Sequence, residues 1–100
     1  MRCRSCKPVP EEVRRAAGLL ERRHAIAILW ASTSGAVRFN EFRQSVTGVP
    51  PNTLSERLRE LEQAGVLERR VVDASPPYAE YTLTKRGKRL ASVVQAIKAL

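Results

Sequence analysis

Pro50-Pro51-Asn52-Thr53-Leu54-Ser55-Glu56-Arg57-Leu58-Arg59-Glu60-Leu61-Glu62-Gln63-Ala64-Gly65, followed at once by Val66-Leu67-Glu68-Arg69-Arg70-Val71-Val72, decides the fold. Leu54, Leu58 and Leu61 fall at i, i+4 and i+7, one apolar stripe of a helix over about 50–64. Pro50 suits its first position, and Gly65 suits the C′ residue that stops it. Beyond Gly65 the period changes from helical to strand-like, so 66–72 reads as a strand. Ala79-Glu80-Tyr81-Thr82-Leu83 reads as its partner. The connecting Asp73-Ala74-Ser75-Pro76-Pro77-Tyr78 holds two prolines, which a central strand excludes.

Upstream of this stretch, helical spacing of Val13, Ala16, Ala17 and Leu20 predicts a first helix from Pro10 or Glu11 to about Arg22. Glu11 and Glu12 suit the positive end of its dipole. A second helix follows over about 23–32, with Ile26, Leu29 and Trp30 on its apolar face, and Ser32-Thr33-Ser34-Gly35 breaks it. Val37-Arg38-Phe39 reads as a short extended segment. Asn40 is the expected N-cap of a third helix, Glu41 to about Val46, with Phe42 and Val46 inward. Downstream, Thr84 caps a last helix from Lys85 to about Ala99, whose Leu90, Val93, Val94, Ile97 and Leu100 form a stripe near heptad spacing. Residues 1–9 read as a flexible arm and 10–100 as one domain.

The fold class is therefore mainly α with a small β-hairpin (α+β). Two helices joined by a Gly-containing turn, with a hairpin directly after the second, describe a winged helix-turn-helix. On the 50–64 helix, the face opposite the leucines carries Asn52, Glu56, Arg59 and Gln63, with Thr53 and Ser55 on its flanks. The start of such a helix is what enters a major groove. Pro51, Asn52, Thr53, Ser55, Glu56 and Arg59 are thus the candidate DNA-binding residues of the helix. Asn and Arg can bond adenine and guanine edges in pairs, and Ser and Thr can bond phosphate or base. Glu56 either accepts from cytosine N4 or pairs with a neighbouring Arg. Arg57 lies on a flank nearer the core, where a phosphate contact and an internal ion pair are both open. Arg69 and Arg70 in the hairpin are expected on phosphate, and Tyr78 on DNA or on its own hairpin. Lys85, Arg86, Lys88 and Arg89 read equally as phosphate partners or as a solvated first turn.

Composition agrees with a polyanionic partner. The chain has 100 residues, with 18 Lys+Arg against 10 Asp+Glu, a formal charge of +8 and a pI near 10.5. Residues 1–40 hold eight basic side chains against three acidic ones, and residues 41–100 hold ten against seven. No block of five or more like charges occurs, so any basic surface must be assembled by folding. No apolar run approaches the ~20 residues of a membrane span, and no signal-peptide pattern is present, which makes the cytoplasm the expected compartment.

Catalytic chemistry finds little support. There is no Ser/His/Asp set, no paired-carboxylate site and no Gly-rich phosphate loop, so no enzyme and no cofactor is expected. Cys3-Arg4-Ser5-Cys6 with one histidine falls short of four zinc ligands, so no metal is expected. A disulfide or thiol sensor at Cys3 and Cys6 stands beside the reading that both lack a role, the nearby Arg2, Arg4 and Lys7 favouring thiolate. His24 reads as a packed or capping histidine, and Trp30, Phe39, Phe42 and Tyr81 as core.

Several stretches in the same order resemble the HxlR family of bacterial and archaeal regulators. They are Arg38-Phe39-Asn40-Glu41-Phe42-Arg43, Val46-Thr47-Gly48-Val49-Pro50, Leu54-Ser55-Glu56-Arg57-Leu58-Arg59-Glu60-Leu61-Glu62, Gly65-Val66-Leu67-Glu68-Arg69, Pro77, Glu80-Tyr81-Thr82-Leu83-Thr84 and Gly87. The resemblance spans about residues 22–95. It implies a homodimeric transcription factor on an inverted-repeat operator, with the first and last helices building the dimer. Val13, Ala16, Ala17, Leu20, Leu90, Val93, Val94 and Ile97 are then the expected interface. Two positions depart from the family. Its Cys-Pro pair, about twelve residues before a Trp in the second helix, has no counterpart: His24 holds the Trp position, and counting back lands on Glu12. Val49 stands where a capping Ser is common, which weakens the recognition helix by about 1 kcal/mol unless Thr47 or a water compensates. Rival readings are a winged-helix protein-interaction module and a non-specific nucleic-acid binder. A small-molecule or redox effector is left open.

Overall fold

A computed structural model describes residues 5–100. Five helices and one hairpin follow in the order α1 (Glu11–Glu21), α2 (Ala25–Thr33), α3 (Phe39–Ser45), α4 (Pro51–Gln63), β1 (Leu67–Val72), β2 (Tyr78–Leu83) and α5 (Lys85–Lys98). The strands pair antiparallel from Leu67↔Leu83 to Val72↔Tyr78, so Tyr78 opens β2 instead of closing the loop. This is the expected winged helix-turn-helix order. The elements meet on one core built from Ile28, Leu29, Phe42, Leu54, Leu58, Leu61, Val66, Leu67 and Val94.

The join between α4 and the hairpin is set by backbone chemistry. Gly65 takes φ +76°, a left-handed conformation that glycine adopts without a side-chain clash. Its N–H donates to Glu62 O at 3.0 Å and that of Val66 donates to Leu61 O at 2.9 Å. That pair of bonds is a Schellman stop, and the buried Val66 and Leu61 supply its apolar contact. Val66 N–H is thereby turned inward, and its carbonyl accepts from Thr84 N–H at 3.1 Å. Thr84 is the N-cap of α5, as expected, its Oγ1 accepting from Gly87 N–H at 3.0 Å. Gly87 is buried where α5 crosses the end of α4: a Cβ there would stand 2.1 Å from Val66 O.

The start of α3 differs from expectation. Asn40 lies inside the helix, which begins at Phe39 with Arg38 as its N-cap. Glu41 does the capping from within the first turn, its Oε1 accepting from both Val37 and Arg38 N–H at 2.9 Å. These two bonds, with the Arg38 charge beside them, hold the Glu41 carboxyl below its ordinary value of 4.5. Nor do residues 37–39 form a strand. Val37 O accepts a single bond from Tyr81 N–H at 2.7 Å, which ties the α2–α3 connection to β2.

Trp30 is the clearest miss in the core. It is 37% exposed, beside Ile26 at 36%, while α2 buries Ala25, Ile28, Leu29 and Ala31. A helix that is apolar on every side gives no periodicity from which to choose a face. His24, which precedes α2, is half-buried in a left-handed conformation (φ 72°), and its side chain makes no cap bond. The capping reading of His24 is thus excluded.

Candidate nucleic-acid interface

Helix α4 stands between the turn that follows α3 and the root of the hairpin. Pro50 is its N-cap and Pro51 its first residue, one position later than expected. No side chain caps it, so Thr47 does not replace the missing serine. Val49 instead buries its side chain in the core, 6% exposed. Two prolines at the helix start have no N–H to satisfy, which leaves the uncapped N–H groups of Asn52 and Thr53 at the positive end of the dipole.

The leucine stripe holds the back of α4 on the core, with Leu54, Leu58 and Leu61 at most 2% exposed. It therefore turns Pro51, Asn52, Ser55, Glu56 and Arg59 out to solvent, with Thr53 half-buried beside them. Ser55 and Arg59 line a cleft of about 400 Å³ together with Glu62, Arg69, Phe39 and Tyr81. One recess thus joins the outer flank of α4, the start of α3 and the hairpin.

Strand alternation explains which hairpin arginine reaches this cleft. Arg69 pairs with Tyr81 and shares the face of Leu67 and Leu83, toward the helices. Arg70 pairs with Glu80 and shares the opposite face with Tyr78. Both arginines are exposed, but only Arg69 is brought together with Ser55 and Arg59.

Arg57 is a correction. It is only 9% exposed and faces the protein, not solvent. Its Nε donates to Arg23 O at 3.0 Å, and its Nη1 donates to Glu60 Oε1 at 2.9 Å. Glu60 Oε1 also accepts from Arg22 Nη2 at 3.1 Å. The internal ion pair is the alternative that holds, and it braces α4 against the α1–α2 corner. Glu56 Oε2 lies 3.6 Å from Arg57 Nη1, which places it in the same ion-pair group.

Arg38 escaped sequence reasoning. Its guanidinium carbon lies 3.8 Å from the centroid of the Tyr78 ring, a cation–π stack between the α3 N-cap and the first residue of β2. The two are forty positions apart, and no local pattern links them. Tyr78 is half-buried beneath this cation, on the face of the hairpin away from the cleft. Ion pairs among the described residues involve only Arg15, Arg22 and Arg57 as cations. Arg38, Arg59, Arg69 and Arg70 take part in none of them.

The expected dimer stripes divide. In α1, Val13 is 52% exposed, Ala16, Ala17 and Leu20 are half-buried, and no residue is buried outright. In α5, Val93 and Ile97 are exposed and Leu90 is half-buried against the core. Val94 does not belong with them. At 2% exposure it packs into the chain's own core, because it lies 100° round the helix from Val93, on the side of the buried Gly87 and Ala91. Leu20, Ile26, Ala27, Trp30 and Ile97 border an open apolar groove of about 430 Å³ between α1, α2 and α5.

Of the arm cysteines, Cys3 lies outside the described residues and Cys6 is exposed. Among the described residues, no cluster of three or more His, Cys, Asp or Glu is placed to hold a metal. No helix among them is long and apolar enough to cross a membrane.

Comparison with known proteins places this architecture. Residues 19–100 match the family model described as HxlR-like helix-turn-helix. The chain is 36% identical over 83 residues to the uncharacterized HTH-type transcriptional regulator YvaP of Bacillus subtilis, covering 83% of this chain and 77% of that one. It is 36% identical over 81 residues to the HTH-type transcriptional regulator YodB of the same organism, covering 81% and 72% of the two chains. The crystal structure of diamide-treated YodB superposes with a TM-score of 0.81 at 32% identity, covering 93% of this chain and 92% of that one. With its hairpin joined directly to the second helix of the helix-turn-helix and its sequence matched from residue 19 to the end, the chain belongs to the HxlR family of winged helix-turn-helix transcriptional regulators.

Proposed function

We propose that this regulator works as a cytoplasmic homodimer on an inverted-repeat DNA operator. One α4 of each subunit enters a major groove, and the hairpin lies along the backbone or minor groove. The observation that carries the reading is the cleft in which Ser55 and Arg59 of α4 meet Arg69 of β1, with two arginines against the single carboxylate of Glu62. Asn52, Ser55, Glu56 and Arg59 face outward as candidate base readers, and the Asn52 and Thr53 N–H groups suit a phosphate oxygen. Arg69, with Arg38 held on Tyr78, supplies further phosphate donors. Arg70 serves a phosphate beside the outer face of the hairpin.

A second copy is favoured by the apolar surface that one chain leaves in water. Val13, Ile26, Trp30, Val93 and Ile97 are each at least 36% exposed, all on α1, α2 and α5. To enter successive major grooves, the two α4 helices of such a dimer must stand about 34 Å apart, one turn of B-DNA.

Selection of bound sequences from a random DNA pool, followed by anisotropy titration at several salt concentrations, tests the reading. The expected outcome is a palindromic consensus bound about 1,000-fold more tightly than random DNA, with affinity falling steeply as salt rises. Sedimentation at micromolar concentration should show a dimer. A specific-to-random ratio near one, or a monomer on DNA, overturns it.

A further inference from the structure

A further concavity lies away from α4. A cleft of about 640 Å³ runs between the C-terminal end of α2 (Ser32, Thr33), Val37, the base of β2 (Thr82, Leu83) and α5 (Lys88, Ala91, Ser92, Gln95). That volume is in the range of small-molecule sites, and walls from several elements are typical of them. We propose that this cleft binds a small organic monocarboxylate with a compact apolar body.

The lining dictates that class of ligand. Lys88 is the one ionisable side chain in the wall, no carboxylate faces it there, and no ion pair among the described residues includes it. A single ammonium on one side of a cleft selects a single anionic group. The neighbouring hydroxyls sort themselves by the bonds they already make. Thr33 Oγ1 donates to Trp30 O and accepts from Gln95 Nε2 at 3.2 Å, and Ser92 Oγ donates to Arg89 O. Their protons are used. Ser32 and Thr82 keep hydroxyl protons for a ligand, and Gln95 keeps its second amide proton, so a carboxylate oxygen finds donors besides Lys88. Val37, Leu83 and Ala91 form the apolar wall that an alkyl or aryl body would cover.

The place of the cleft also matters. On α5, Lys88, Ser92 and Gln95 project on the flank opposite Leu90, Val93 and Ile97, given 100° per residue. A ligand held there would stay clear of the apolar stripe, and its binding requires neither DNA nor a second subunit. It would bridge β2, the hairpin strand that is tied to Val37, to α5. By linkage, any effect it has on DNA affinity must be matched by an equal effect of DNA on its own affinity.

The test is a backbone-amide NMR titration of the full chain with sodium benzoate and sodium 2-naphthoate, set against benzamide and 2-naphthamide. Both carboxylates should shift the signals of Thr33, Thr82, Leu83, Ala91, Ser92 and Gln95 in a saturable way. The neutral amides should bind at least about fivefold more weakly, the scale of one exposed charge pair. Lys88→Gln should weaken the carboxylates by the same factor, and Lys88→Arg should keep them. Absence of saturable shifts around the cleft, equal binding of acid and amide, or an unchanged affinity in Lys88→Gln would each overturn the proposal.

Discussion

Helix α4 has two sides, and they obey different rules. The back is closed: three leucines in the core, Arg57 bonded to a main-chain carbonyl and a carboxylate, and a helix end locked under α5. The front is open, with Asn52, Ser55 and Arg59 in solvent and no acid pairing with Arg59. Arg57 and Arg59 are two residues apart, share a chemistry and do opposite work. One holds the helix in place and the other is available to a ligand. What separates them is only 200° of rotation about the helix axis, which carries one side chain toward the α1–α2 corner and the other into water.

Four substitutions test that contrast. Gly87→Ala should have the largest effect. Alanine normally favours a helix over glycine by up to ~1 kcal/mol, but here its Cβ would meet Val66 O at 2.1 Å. The backbone must shift, and a loss of about 3 kcal/mol in denaturant unfolding is expected. A neutral or stabilising result would remove the closed joint from the account. Arg57→Ala comes next, at about 2 kcal/mol of stability. Breaking a buried pair costs more, but Glu60 is 31% exposed and recovers water. Its DNA specificity ratio should stay near that of the unaltered chain. A change in base preference would mean that the back of the helix reads DNA after all.

Arg59→Ala should behave in the opposite way. Thermal stability should hold within about 0.5 kcal/mol, while operator affinity falls by about 1–3 kcal/mol if a base edge is contacted. Unchanged operator binding would refute the role of Arg59. Glu41→Gln should have the smallest effect, and one that depends on pH. Because the folded carboxyl titrates below 4.5, its ionised form stabilises the chain at neutral pH, and that contribution fades as pH falls through the folded pKa. Gln should therefore lower the melting temperature slightly at pH 7, with the gap closing in acid. A gap that widens in acid would contradict the capping role.

The same contrast explains what was legible beforehand. Leu54, Leu58, Leu61 and Gly65 specify a helix, its inner face and its end, all from local spacing. The hairpin follows from the change of period at Val66, and Thr84 from its position before a helical stripe. Local spacing also put Asn52, Ser55 and Arg59 outside. It failed where a residue's fate depends on something distant. Arg57 is claimed by Arg23 and Glu60, Tyr78 by Arg38, and Val94 by the core of its own chain. Asn40 lost the capping position because Glu41 reaches back to two backbone N–H groups, a competition between neighbours that propensity alone does not decide. Trp30 could not be assigned a side because α2 is apolar all round.

The acceptor that Arg57 uses at position 23 is main chain, not side chain. Any residue there presents the same carbonyl, so this contact asks for a particular side chain only on α4, and Arg22 adds the one side-chain bond from the corner, to Glu60. The outward positions 52, 55 and 59 share no bond with it. Divergence of such a helix is therefore modular: the outward residues can be exchanged while the mount that aims them stays as it is.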